Sequence, residues 1–386
     1  MTNNRLHSLA HVFLKLGTIG FGGPAAHIAM MEDEVVTRRG WLTSEEFLDL
    51  VGATNLIPGP NSTEMAIHIG YIYAGWQGLM VAGTCFILPA VTLTAALAWV
   101  YQQFGALPQI APLLDGIGPV VLAIIAVALW RLGKKALKNP RLLLVGLGVA
   151  VSVMLGVNQI LALFLGGVFG AILLISFPYG TGISPFFWLP FSLPLAQTSA
   201  ATSSPTFPPT LWQLGLFFLK VGSVLYGSGY VLVAFLENEL VGKYGWLTQQ
   251  QLLDAIAIGQ FTPGPVLSTS TFIGYLIAGT PGAIVSTVGI FLPSFIFVLL
   301  LNPAIPKLRR SKWMSGFLDA VNASAVALMA VVTLRLAQTL VWGPTGLNVM
   351  AVFVTAIASV LAIRWRVNAA WLVLGGAILG GLKTMF

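Results

Sequence analysis

GWLTSEEFLDLVGATNLIPGP, residues 40–60, returns as GWLTQQQLLDAIAIGQFTPGP, residues 245–265, identical at nine of 21 positions including both ends. The match extends outward. Residues 13–60 align without a gap on residues 218–265, with 18 identities in 48 positions by direct count. Phe13-Leu14-Lys15 recurs as Phe218-Leu219-Lys220, Gly22 as Gly227, and Glu32 and Glu34 as Glu237 and Glu239. After a one-residue slip, Leu88-Pro89, Asp115, Arg131 and Pro140 recur as Leu292-Pro293, Asp319, Arg335 and Pro344. A repeat of this length is the mark of a duplicated unit, so each feature of one copy can be asked of the other.

The composition excludes a water-soluble globule. Of 386 residues, 57% are hydrophobic and only 8% charged, against about 25% charged in soluble domains. Apolar runs such as 78–100, 117–130, 142–157, 284–301 and 349–363 approach or reach the roughly 17 to 25 residues that cross a bilayer. Residues 177–210 carry no charge and are rich in Pro, Ser and Thr, the composition of an irregular connector. The expected organisation is a first repeat over 1–176, this linker, and a second repeat over 211–386. The N-terminal segment carries Arg5, His7, His11 and Lys15 and no small-residue cleavage site, so the first helix is expected to stay in the mature chain. The net charge of +7 sits largely in short loops between apolar runs, where it reports topology; no nucleic-acid partner is implied. Cys85 is the lone cysteine, inside an apolar run, and reads as a small buried hydrophobe.

Each half reads as one long helix, two short segments (44–57 and 61–75 in the first half) joined at Pro-Gly-Pro, and four apolar helices. Segments so short cannot span, so they are expected to form a re-entrant pair. About five crossings per half remain, and an odd number inverts the second half relative to the first. The positive-inside rule agrees. Placing Arg38, Arg39, Lys134, Lys135, Lys138 and Arg141 in the cytoplasm also places Lys307, Arg309, Arg310, Lys312, Arg364 and Arg366 there, twelve of nineteen basic residues. The expected fold class is therefore an all-α polytopic membrane protein of two inverted homologous repeats with broken helices, an architecture found among secondary transporters.

Pro58-Gly59-Pro60 and Pro263-Gly264-Pro265 must interrupt any helix, because proline lacks an amide donor and the residue before it avoids helical dihedrals. Pro60 and Pro265 suit the first turn of the next short helix. The amides near Asn61, Ser62 and Thr63, and near Ser268 and Thr269, would then form positive helix ends facing the membrane interior, suited to an anion. Lys15 and Lys220 occupy matched positions about ten residues into their helices, roughly 15 Å deep in a core of about 30 Å. A lysine there needs a cavity or a counter-charge; the competing reading is snorkelling to the interface. Gly22, Gly23, Gly227 and Ser228 offer either close helix packing or backbone amides to a ligand.

Glu64 and His68 share one helix face a turn after the first break and have no charged counterpart in the second half. They could couple proton binding to anion binding, or Glu64 could simply satisfy the helix amino terminus. His27 is a weaker candidate of the same kind and reads first as a hydrogen-bonded packing residue. Arg131 and Arg335 read as interfacial anchors, Asp49 and Asp254 as parts of surface amphipathic segments, and Glu32-Asp33-Glu34 with Glu237-Asn238-Glu239 as solvated. Metal-ligand spacings, phosphate loops and nucleotide fingerprints are absent, and no metal or cofactor is implied.

Phe21-Gly22-Gly23-Pro24 followed by His27, Gly40-Trp41 and Pro58-Gly59-Pro60, with the second set Tyr226-Gly227-Ser228-Gly229-Tyr230, Gly245-Trp246 and Pro263-Gly264-Pro265, resembles the chromate ion transporter family in its long two-domain form. The resemblance implies export of chromate across a bacterial cytoplasmic membrane, driven by the membrane potential or a proton gradient. The alternatives are a carrier of sulfate or another oxyanion and, from a different class, a membrane-embedded enzyme. The expected partners are the oxyanion and the lipid bilayer, with homo-oligomerisation left open.

Overall fold

The computed structural model describes residues 2–105, 107, 111–176, 209–226, 229–302, 311–343 and 346–382. Most of the expected linker, together with Gly227 and Ser228 and the basic residues Lys307, Arg309 and Arg310, lies outside the described residues. The first repeat contains α1 (Thr2–Ile19), α2 (Pro24–Glu32) running into a π-helical turn (Asp33–Arg38), α3 (Ser44–Thr54), α4 (Asn61–Phe104), α5 (Ala111–Ala136), α6 (Pro140–Met154) and α7 (Gln159–Ser176). The second contains α8 (Leu211–Val224), a 3-10 turn (Gly229–Val231), α9 (Leu232–Leu236) running into a π-helical turn (Glu237–Lys243), and α10 (Gln249–Phe261). A 3-10 turn (Val266–Ser268), α11 (Thr269–Leu301), α12 (Lys312–Val341), α13 (Val349–Arg364) and α14 (Ala369–Leu382) complete it. Among the described residues, the only extended pairing joins Trp342–Gly343 to Gly346–Leu347.

By length and composition α4, α5, α7, α11 and α12 can each cross a membrane, and α6, α8, α13 and α14 are shorter apolar helices. Large apolar side chains are exposed along their outer faces, among them Leu147 and Val151 on α6, Phe169 and Ile172 on α7, and Phe353 and Val360 on α13. Faces of this extent need a lipid phase rather than water. The protein is a multi-pass membrane protein.

Two readings of the long helices change. The single long helix expected at the start of each half is broken. Gly22 and Gly23 take φ values of 106° and 79°, which side chains other than glycine disfavour, and Pro24 starts α2. The second break is inside α4, where Ala74 and Gly75 leave helical dihedrals. A Cβ on Gly70 would lie 2.3 Å from the Gly78 carbonyl oxygen, and one on Gly83 2.8 Å from Ile67. Residues eight and sixteen apart touch only if the chain folds back, so α4 is a tight helical hairpin of a short arm (61–73) and a long arm (76–104). In α11, Ala278 and Gly279 repeat the dihedrals of Ala74 and Gly75 within 5°. Thr271 and Thr287, sixteen apart, share a hydrogen bond of 2.7 Å. The short arms end where the sequence places the end of the short segments.

The halves interlock. α5 packs on α13 and α14 of the second half, and α12 packs on α6 and α7 of the first. Glycines bring these helices together: a Cβ on Gly116 would lie 2.2 Å from the Gly376 carbonyl, and one on Gly166 2.4 Å from Ser324 Oγ. Close approach through small residues is the usual means of packing helices in lipid, where no hydrophobic drive holds them together. The equivalent helices α5 and α12 meet with Gly118 against Leu340 and Gly133 against Val326, so they run antiparallel. The hairpins α4 and α11 pack on each other and on α1 and α8.

Candidate functional site

The two Pro-Gly-Pro breaks are docked reciprocally. Gly59 N donates to Leu225 O at 2.7 Å, and Gly264 N donates to Gly20 O at 2.8 Å. Each break thus hydrogen-bonds to the frayed carboxyl end of the first helix of the other half. Position 20 aligns with 225 and 59 with 264, so the pair of bonds is a matched exchange. Both central glycines adopt positive φ, 146° and 90°. A Cβ on Gly59 would meet Glu64 Oε1 at 2.3 Å and Ser294 Oγ at 2.5 Å, and one on Gly264 would meet Ala90 at 2.9 Å.

Proline occupies the N-cap of both following segments. Pro60 precedes α4 and Pro265 precedes the 3-10 turn at 266–268, and neither offers a side-chain cap. This corrects the placement of Pro60 in the first turn: the helix starts at Asn61. Thr63 and Glu64 amides return to Pro60 O at 2.8 and 3.0 Å, leaving the positive helix end uncapped by any side chain. Asn61 Nδ2 donates to Asn55 Oδ1 at 3.0 Å, across the break.

Around the first break the interior is polar. Ser62, Thr63, Glu64 and His68 are all buried, with relative exposures of 2% or less. Both Glu64 carboxyl oxygens, Thr63 Oγ1 and Ser294 Oγ have no hydrogen-bond partner, nor has Ser286 Oγ on α11. The His68 ring faces Asn302 without a well-formed hydrogen bond, and the Tyr226 ring lies near the Glu64 carboxyl. Orphaned buried polar atoms cost about 1 to 3 kcal/mol each, and native structures contain few without a reason. At the second break the buried hydroxyls have partners: Ala90 stands at the equivalent of Ser294, Thr94 Oγ1 donates to Ser268 Oγ at 3.3 Å, and Thr269 Oγ1 donates to Val266 O at 2.8 Å. The asymmetry seen in Glu64 and His68 is therefore one of the whole environment.

Other residues are placed differently from their sequence readings. Lys15 is ion-paired with Glu34, and Lys220 with Glu239 at 2.6 Å. Arg39 adds a 3.2 Å contact to Glu34. Glu34 and Glu239 are 5% and 4% exposed, which corrects the expectation that these acidic clusters are solvated: the π-helical turns rotate them inward, while Asp33 stays outside with Arg38 at 2.7 Å. Asp254 is likewise buried rather than at the surface, held by Tyr101 Oη at 2.7 Å and Gln250 Nε2 at 3.0 Å. His27 Nε2 donates to Gly20 O at 2.9 Å and its ring packs edge-on to Phe86, so it fixes the bend that receives Gly264. Arg131 donates to Ala362 O at 2.8 Å and Arg335 lies 3.7 Å from Glu237.

Ser294 and Tyr226 were not singled out from sequence as polar groups at the breaks. One signal was available: Ser294 directly follows the repeated Leu-Pro and replaces Ala90 of the first half. Outside the interior, Thr43 and Glu46 form a capping box on α3. Hydrogen bonds from the Thr43 backbone and hydroxyl hold the Glu46 carboxyl below its ordinary range.

The family profile described as chromate transporter matches residues 7–171 and 212–381. A chromate transport protein of Cupriavidus metallidurans is 33% identical, over 97% of this chain and 92% of that protein. A probable chromate transport protein of Synechococcus elongatus is 33% identical over 84% of this chain and 83% of that protein. A chromate transport protein of Pseudomonas aeruginosa is 29% identical over 96% of this chain and 90% of that protein. No solved structure matches the chain.

Proposed function

From the premise that the chain belongs to the chromate transporter family, we propose that it is a secondary active transporter exporting chromate from the cytoplasm across a bacterial inner membrane. The observation that carries this reading to a site is the reciprocal docking of the two breaks beside unpartnered buried polar groups. A tetrahedral dianion would find donors there: the uncapped helix end at Asn61 and Ser62 supplies amides, and Thr63 and Ser294 supply hydroxyls. Ser268 and Thr269 line the opposite break. The antiparallel packing of α5 on α12 supports an inverted arrangement of the halves, because equivalent spans of opposite direction cross a bilayer in opposite senses.

Glu64 stands in the first turn of the short arm, where the anion would sit. Ionised, it would itself occupy the positive helix end; protonated, it would vacate that charge site and donate a hydrogen bond. Binding of a proton and of the dianion together at one place is the simplest coupling this geometry allows, a co-transport whose remaining negative charge the membrane potential would drive outward, with His68 one turn deeper on the same face. Lys15 and Lys220 then fix α1 and α8 to their π-helical turns through Glu34 and Glu239 rather than meeting the ion.

The test is uptake of labelled chromate into inverted vesicles under separately imposed pH and voltage gradients. Uptake that follows neither gradient above that of empty vesicles overturns the reading. Competition by sulfate, molybdate and phosphate separates a chromate carrier from a sulfate or general oxyanion carrier, since chromate and sulfate share charge and shape. Recovery of the transported chromium in a reduced state would instead indicate a membrane enzyme.

A further inference from the structure

Away from the breaks, a cavity of about 770 Å³ is lined by Lys134 and Lys135 of the last turn of α5, Lys138 of the α5–α6 connection, Asn55 after α3, and Asp319 and Asn322 of α12. Three lysines against one aspartate leave a lining charge of 3 − 1 = +2. The cavity is also bounded by Leu56 and Val231. Leu56 stands two residues before Pro58, and Val231 closes the 3-10 turn that follows Leu225 and Tyr226. The cavity therefore reaches the two segments that join at the Gly59 to Leu225 hydrogen bond. Asn55 connects it further, because its Oδ1 accepts from Asn61, the first residue after the break.

We propose that this cavity is the cytoplasmic vestibule of the transporter, a site that binds a hydrated divalent oxyanion before it passes to the breaks. The identity of the ion rests on the transport reading above; the site itself rests on charge and shape. The three lysines lie in the stretch that the distribution of basic residues places in the cytoplasm. A concave basin of one sign concentrates counter-ions and speeds their capture. Its volume exceeds what one dehydrated oxyanion needs and lies within the range of small-molecule sites, so the ion keeps water here and loses it at the breaks. Lys138 Nζ lies 2.9 Å from Asp319 Oδ1, which ties the first repeat to the second across the basin and neutralises one of its three positive charges. Lys134 is braced by the Trp130 ring, with Nζ 4.5 Å from the ring centroid.

The lining makes two substitutions act in opposite directions. Equilibrium binding of labelled chromate and of labelled sulfate is measured on purified protein in phosphatidylcholine nanodiscs, and KM is measured in inverted vesicles. For Lys134→Gln/Lys135→Gln/Lys138→Gln we expect dianion affinity to fall and KM to rise, each roughly tenfold, with kcat changing far less and the dependence on ionic strength flattened. Asp319→Asn frees Lys138 and should lower KM by roughly twofold to threefold. The triple Lys→Arg variant keeps the charge and should behave as the native protein, which separates loss of charge from loss of fold. Native affinity, KM and salt dependence in the triple Gln variant overturn the vestibule, as does abolition of dianion binding by phosphatidylglycerol, which would make the basin a lipid-headgroup site. Lysine-dependent dianion binding without vesicle transport leaves the vestibule standing and removes the transport reading alone.

Discussion

At the scale of single residues, the sharpest feature is a carboxylic acid with no hydrogen-bond partner, buried at a helix end. Glu64→Gln preserves size and removes the ionisable proton. We expect it to abolish the response of chromate transport to an imposed pH gradient while leaving voltage-driven or exchange flux measurable. Full pH-gradient stimulation in the variant would exclude Glu64 from coupling. Glu64 was legible as a candidate because it has no charged counterpart in the repeat; its orphaned state was not, because that depends on Ser294 and Tyr226, more than 160 residues away in the chain. The matched lysines teach the converse. Their depth was readable from helix rise, but their partners were not, since Glu32, Asp33 and Glu34 look alike in sequence and only the π-helical turn selects Glu34 for burial. Lys220→Met leaves the Glu239 carboxylate buried without its cation and should cost about 2 kcal/mol, less than a fully buried pair because Lys220 is half-exposed. Lys220→Met/Glu239→Gln should recover both the melting temperature and transport. A double variant that regains stability but not transport would return Lys220 to the anion site.

At the scale of elements, the hairpins α4 and α11 decide how the breaks are presented. Their turns, Ala74-Gly75 and Ala278-Gly279, need a left-handed glycine, and the arms close only because Gly70 faces Gly78 and Gly274 faces Gly282. A Cβ on Gly78 would lie 2.1 Å from the Gly70 carbonyl oxygen, a clash with backbone that no rotamer relieves. We expect Gly78→Val to destabilise the fold by about 3 kcal/mol or more, read as loss of monodisperse protein and a lowered unfolding temperature. Gly148→Ala, which meets nothing within 4 Å, should leave both unchanged. The ends of the short arms were legible because a segment of that length cannot span. The step from the short segment at 61–75 to the apolar run at 78–100 was legible with them; the contact between the arms was hidden, since it depends on Gly70 and Gly78 meeting backbone to backbone.

At the scale of the whole molecule, the sequence halves are not the mechanical halves. Rocking of one repeat against the other, a natural expectation for inverted repeats, would pull α5 from α14 and α12 from α7. The interlocked arrangement instead makes α5 with α13 and α14 one group, α12 with α6 and α7 a second that packs on it through α5, and the paired hairpins with α1 and α8 a third. A disulfide within one group should therefore be harmless. Gly166 on α7 and Ser324 on α12 approach with a built Cβ on Gly166 3.4 Å from the Ser324 Cβ, close to the separation that a disulfide spans. In a Cys85→Ala background, oxidised Gly166→Cys/Ser324→Cys should transport at the native rate. Arrest on oxidation, reversed by reductant, would restore whole-repeat rocking. Which helices exchange partners was not legible, because the glycines that admit them are spread along the chain without a period of their own.

The interlock also has a schedule. From the end of α5 at Ala136 to the start of α14 at Ala369 the ribosome must add 369 − 136 = 233 residues. At roughly 5 to 20 residues per second this takes on the order of ten to fifty seconds. Throughout that interval Gly116 lacks the α14 backbone that covers it, although α10, α12 and α13 reach α5 earlier. The packing of α5 is therefore unfinished until α14 emerges, and a chain without α14 lacks the cover of a segment made long before it.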